Sequence, residues 1–385
     1  MDISTLSVAL IGVVPAVFSS KPAWSVFLAC LIAASVSSPA LADGGAFYGP
    51  LRSRDLSPFG FLRLDMRPAH AVNIEPGTWA FETEIDYQNT WALSREVEKY
   101  LAGLEAGGRR RIGPAEVQAI RDLEGENYLL DFEGVMASFA AHYKLSSRWS
   151  VYGILSAVKY GGGFLDGTIE NFHDKFGFSS FGRPAVARNQ TTLIYDLKGS
   201  QAVFLESPTS GGLLDPVFGV RCSGVQLSPA WRLTLEGAVK VPLLGERLLL
   251  STGKADFGLQ AALQRTGVRH AFYLNTTAVY YAGASEPAAQ NAQVIPTMIV
   301  GYEFKWTQRT NLNVQAYVSK SVYSHEQTDL EELTGTKYQY SVGLRHRREN
   351  WLWTIGFNEN VQNINNTPDI GLQIGVAWIP RVAGR

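Results

Sequence analysis

From Trp79 to Leu93 the chain alternates with a period of two. Trp79, Phe81, Thr83, Ile85, Tyr87, Asn89 and Trp91 fall on one face, and Ala80, Glu82, Glu84, Asp86, Gln88, Thr90 and Ala92 on the other. Successive side chains of a β-strand point to opposite sides of the pleat, so this alternation predicts a strand. Its apolar face begins and ends in tryptophan, roughly 40 Å apart at about 3.3 Å per residue. Tilted by about 40°, the span falls to roughly 30 Å, near the height of a lipid-facing band bounded by aromatic girdles. The acids opposite suit a wet interior rather than a packed core. The stretch reads as the first strand of a transmembrane barrel, with Trp79, Phe81, Ile85 and Tyr87 facing lipid.

The pattern recurs along the chain. Strands are expected at Tyr128–Leu145 and Trp149–Tyr160, the first with a bulge near Gly134 where its parity changes. Further strands are expected at Leu214–Leu227, Trp231–Val241, Asp256–Gln264, Arg269–Tyr281, Val294–Lys305, Thr310–Ser321, Tyr338–Arg347, Trp351–Glu359 and Asp369–Ile379. Very short turns alternate with longer connections, as the two ends of an outer-membrane barrel do. The expected fold is an all-β, antiparallel transmembrane barrel of about twelve strands over residues 78–380. A soluble sandwich would not require that alternation.

Composition agrees. Only 18 % of the 385 residues are charged, with 37 Gly, 16 Tyr and 9 Trp. A mean hydropathy of −0.03 excludes a polytopic helical membrane protein. The formal charge of −1 gives no reason to expect nucleic acid. Cys30 and Cys222 fit no metal or redox spacing, and no cofactor is implied. Residues 1–42 read as a signal peptide: an apolar run behind Lys21 ends Ala40-Leu41-Ala42 before Asp43, a small-x-small cleavage site. A lipoprotein reading at Cys30 interrupts that run. Residues 43–77 are irregular and rich in Pro, Gly and Arg, with Arg52, Arg54, Asp55, Arg63, Asp65 and Arg67. They fit either a plug in the lumen or a periplasmic tail.

Between the third and fourth strands lies a segment of another kind. Leu165, Ile169, Phe172 and Phe176 recur at four, three and four, one apolar stripe of a short helix whose burial is expected in the barrel mouth. Asp166, Glu170, His173 and Asp174 border its polar side, and Gly177 is a natural stop. Pro114–Leu123 also reads as a short helix, with Pro in its first turn. The triplet Arg109-Arg110-Arg111 before it suits a solvated run, or the phosphates of lipopolysaccharide.

Several stretches resemble the exported bacterial proteins grouped as domain of unknown function family 3187. They are Gly162-Gly163-Phe164-Leu165-Asp166-Gly167, Ile169-Glu170-Asn171-Phe172-His173, Phe176-Gly177 and Gly182-Arg183. Others are Lys240-Val241-Pro242, Ser251 to Asp256, Phe357-Asn358-Glu359-Asn360 and Thr367 to Gly371. The resemblance implies an exported or outer-membrane location and supplies no reaction. The insertion around Arg109 and the tail beyond Trp378 depart from it.

Candidate chemistry divides in two. Glu82, Glu84, Asp86, Arg232, Glu236, Lys240, Glu303 and Arg345 fall on lumen faces and could line a solute path. Asp166, Glu170, Phe172, His173 and Arg183 could form a mouth site. A metal site is a poor reading of one histidine among acids. A hydrolase would need an activated serine, and no nucleophile motif accompanies His142, His270, His325 or His346. The expected function is a narrow or gated channel for small solutes, with outer-membrane lipid and lipopolysaccharide around it. An envelope-maintenance barrel is the alternative, and a membrane-embedded hydrolase the third class.

Overall fold

The computed structural model describes residues 46–380, except 58–59, 71–73, 199–202, 206–209, 244, 286–288 and 361–363. The expected leader lies outside these residues. Twelve strands close into one antiparallel barrel. They are β1 Trp79–Leu93, β2 Asn127–Lys144, β3 Trp149–Gly161, β4 Val217–Gln226, β5 Trp231–Lys240 and β6 Asp256–Thr266. The second half is β7 His270–Tyr281, β8 Gln293–Lys305, β9 Thr310–Ser319, β10 Lys337–Arg348, β11 Trp351–Asn360 and β12 Ile370–Trp378. Each pairs with its sequence neighbour, and β12 closes on β1 with Ile85 opposite Ile374. All twelve expected strands are present, with ends moved by only a few residues.

Alternation fixes the two faces. On β1, Trp79, Phe81 and Ile85 are exposed while Glu82, Glu84 and Asp86 are buried. The exposed apolar belt continues through Phe139, Leu155, Phe218, Leu235, Leu259, Val342, Ile355 and Ile374. Trp149, Trp231, Trp306 and Trp351 gather at the short-turn end, the aromatic girdle of a lipid-spanning wall.

Two expectations are corrected. β2 has no bulge at Gly134, because its pairing with β1 and β3 runs through that residue unbroken. Its parity is lost because residues 127–133 are buried on both faces, above the lipid-facing part. The register shift lies instead between Cys222 and Val225 on β4. Trp91 is not a girdle residue. It is only 6 % exposed, packed with Val97, Leu101, Ile112, Val117 and Ile120 from helices α1 (Arg95–Leu104) and α2 (Pro114–Arg121) and their connection. β1 and β2 therefore rise beyond the lipid belt, and helices cover their outward face.

The inner space is filled by residues 46–70. This segment climbs from the short-turn end, where Tyr48 and Gly49 donate N–H groups to Glu303 at 2.7 and 3.0 Å. Midway, Ser53 binds Ser341 and Asn358 at 2.7 and 3.0 Å. Near the long-loop end its backbone turns, with Phe61 N–H donating to the Ser57 carbonyl and Arg63 N–H to that of Gly60. It then descends past Asp256, which accepts from Leu64 N–H at 2.8 Å, and Asn275, which accepts from Ala69 N–H at 2.8 Å. The two legs meet again where His70 closes over Gly49. Gly49 has φ +89°, and a Cβ there would lie 2.4 Å from the imidazole, so this crossing requires glycine.

Candidate functional site

The acidic face of β1 is answered by the hairpin. Arg52 Nε lies 3.0 Å from Glu82 Oε1, and Arg54 lies 3.9 and 3.8 Å from Glu84 and Asp86. Gln88 accepts from Leu56 N–H at 3.0 Å. Glu303 also takes Tyr273 Oη at 2.5 Å, and Arg345 donates to the Tyr48, Gly49 and Pro50 carbonyls. Lys240 bridges Asp256 at 2.8 Å and the Leu62 carbonyl at 2.6 Å. Glu236 is held by Tyr152 Oη and Arg221, both at 2.5 Å. Seven of the eight candidate path residues are thus buried against the hairpin or other side chains of the wall; Arg232, at the short-turn end of β5, is exposed. Burial, reinforced by the Arg52, Arg345 and Arg221 cations, holds the His70 imidazole well below its ordinary pKa.

The hairpin does not fill the barrel evenly. Three clefts adjoin one another along the β2–β5 side. The first opens at the short-turn end beside Thr78, Lys144 and Ile379. The middle and smallest one shares Arg52, Glu82, His142 and Arg221 with it. The last shares Asp65, Arg67, Ile154 and Val217 with the middle one and reaches Leu214 and Leu250. Adjoining in this way, they run from one end of the barrel towards the other.

The second candidate cluster has a different place. Helix α3 (Asp166–Phe176) hangs on Glu133, which accepts from the Phe164 and Leu165 N–H groups at 3.1 and 2.7 Å and from Tyr87 Oη. Glu133 and its partner Asn89 share the outward parity of Ile85 and Phe139. The helix therefore lies on the outer side of the wall, not over the mouth. Gly163, at φ +63°, permits this approach, since a Cβ would meet the Glu133 carboxyl at 1.9 Å.

The helix buries only part of the expected stripe. Ile169 faces inward together with Asp166 and Glu170, while Phe172 and Phe176 are exposed. Ion pairing explains the departure. Arg183 joins Asp166 at 2.8 Å and Asp369 at 3.0 Å, and its guanidinium lies 4.9 Å from the Trp91 ring centre. Glu170 takes Arg109 at 2.6 Å and Arg188 as well. A buried carboxylate without these partners would be expensive, so the acids turn to the arginines and the phenylalanines are left exposed. Arg109 is thus a structural partner, not part of a solvated run. His173 joins neither acid and sits among Phe172, Phe178 and Phe181. The other histidines of interest are engaged elsewhere: His270 with Tyr302 at 2.7 Å and His346 with Thr310 at 2.9 Å.

The segments that carry the family resemblance come together in this geometry. Arg183 meets Asp166 and Asp369, and Lys240 meets Asp256. The sequence profile of the family described as "Protein of unknown function (DUF3187)" matches residues 26–378. The chain belongs to that family. Among curated proteins no match is found. Of solved structures, the COG4313 outer membrane channel from Pseudomonas putida F1 is similar with a TM-score of 0.50 and 10 % identity, covering 82 % of this chain and 100 % of that one. A Pseudomonas aeruginosa FadL homologue has a TM-score of 0.36 and 9 % identity, covering 88 % and 100 %. The P. putida toluene transporter TodX has 0.37 and 8 %, covering 80 % and 91 %. For this DUF3187 member the first likeness supports the outer-membrane barrel fold.

Sequence reading missed Arg221, Lys337 and Glu133 as organising residues. Arg221 and Lys337 share the inward parity of their strands, which was a usable signal. Glu133 has outward parity, and only the docked loop gives it a role.

Proposed function

We propose that this protein is a narrow channel for small solutes in the outer membrane of a Gram-negative bacterium, with residues 46–70 as a resident constriction. The carrying observation is the run of adjoining clefts between hairpin and wall. A barrel of twelve strands is narrower than general porins, and the hairpin narrows it further. The likeness to an outer-membrane channel structure supports the fold on which this reading rests. The short turns face the periplasm and the long loops the exterior, as in barrels of this kind. The purified full chain in planar bilayers should show small, stable conductance, and loosening the hairpin should enlarge it. No conductance in either form, with folding verified, would select the envelope-maintenance reading, which the dense bonding of the hairpin favours.

The outer rim takes part through lipid. Phe164, Phe172, Phe176 and Phe178 are exposed on a segment docked just above the lipid-facing Ile85. In this reading they enter the outer leaflet and brace the loop there, leaving the passage itself to the hairpin.

A further inference from the structure

The clefts contain a cation with nothing to hold. Arg67, on the descending leg of the hairpin, is 8 % exposed, yet its Nη1 and Nη2 atoms have no hydrogen-bond partner among the described residues. Arg67 borders both the middle and the last cleft. Arg54 stands beside the last cleft with its Nε likewise unpartnered, because Glu84 and Asp86 lie too far away for hydrogen bonds. A guanidinium presents five donors in a planar fork that matches a carboxylate, and burying one unpaired is costly.

The neighbouring charges do not cancel this surplus. Arg63 and Lys240 at the same cleft are occupied by Tyr317 and Asp256. Of the two acids there, Asp215 accepts from Ser251 at 2.7 Å, and Asp65 stands among Arg54, Arg63 and Arg67. Over the three clefts, eight Lys and Arg side chains line the path against four carboxylates, while Glu84, Asp86 and Asp256 of the wall answer Arg54 and Lys240, so the surplus centres on Arg67. Apart from these charged groups and Ser156, the last cleft is lined by apolar side chains, among them Phe61, Met136, Ile154, Leu214 and Leu250.

We infer that Arg67, assisted by Arg54, forms a binding site for a small organic carboxylate with a compact apolar body, and that this is the solute class the passage admits. The site rests on the unpartnered guanidinium; its role in permeation rests on the channel reading above. The fork takes the carboxylate, and the apolar wall takes the body. The solute exchanges water for a waiting charge, so selection by charge costs the protein no new desolvation.

Benzoate and its neutral counterpart benzyl alcohol separate the possibilities. In calorimetry on the detergent-solubilised full chain, benzoate should bind and benzyl alcohol should bind at least tenfold more weakly; inorganic phosphate, lacking the apolar body, should also bind more weakly. Arg67→Gln should lose the preference for benzoate, while Arg67→Lys, which keeps the charge, should retain part of it. Equal affinity for the two aromatic solutes, or a preference untouched by Arg67→Gln, would overturn the site. Should Arg67→Gln fail to fold, the wild-type comparison alone decides. In liposomes benzoate flux should exceed benzyl alcohol flux through the protein. Binding without flux would retain the site and overturn the channel; flux of both solutes without benzoate preference would retain the channel and overturn the site.

Discussion

Lys337 Nζ lies 2.6 Å from Asp55 Oδ2, with both side chains only 1 % exposed. The pair ties the upper part of the hairpin to the first residue of β10, across 282 positions of sequence. Removing one partner from a buried ion pair leaves the other uncompensated, at a cost of about 3–5 kcal/mol. Lys337→Met should therefore loosen the hairpin before it unfolds the barrel. Bilayer recordings should show larger or noisier conductance, and urea titration a lower midpoint. Asp55→Asn added to Lys337→Met should recover part of the loss, because no orphaned charge remains.

The lipid belt makes a second prediction. Ile85 is 48 % exposed on the outward face, whereas Asn89, four residues on with the same parity, is fully covered by the docked loop. Ile85→Arg should cost roughly 2–4 kcal/mol of folding stability in bilayers, as expected near the midplane. Equilibrium folding into lipid vesicles checks it, and wild-type stability would refute the outward assignment.

A third concerns the rim. Phe176 is 58 % exposed at the end of α3. A spin label at Phe176→Cys, in a Cys222→Ser background reconstituted in bilayers, should be more accessible to oxygen than to a water-soluble nickel chelate. A label at the exposed Lys198 should show the reverse. Equal behaviour at the two positions would place α3 in water.

The glycine beneath that helix supplies the fourth. Gly163→Ala introduces a Cβ at a left-handed backbone position and into the Glu133 carboxyl. The loop of residues 162–216 should become sensitive to protease, while the barrel keeps its heat-modifiable mobility in detergent gels. Protection equal to wild type would show that the loop is held otherwise.

The sequence by itself determined the wall of this protein. Strand periodicity is local, so Trp79 to Leu93 announces both its faces, and the turn–loop alternation announces antiparallel neighbours and an even strand count. The acidic residues of β1 were legible as lumen groups for the same reason. Tertiary structure decided what meets those faces. Glu82 and Trp91 lie on one strand with plain alternation, yet Arg52 answers the first and a helical cap buries the second. Both partners come from elsewhere in the chain, and no local period encodes them. The amphipathic stripe of α3 was legible too, but not which edge would turn inward. Asp166 and Glu170 decided that by finding Arg183, Arg109 and Arg188, which left Phe172 and Phe176 on the exposed side. Local pattern fixes which side chains share a face; only the closed chain fixes whether that face meets lipid, water or an arginine.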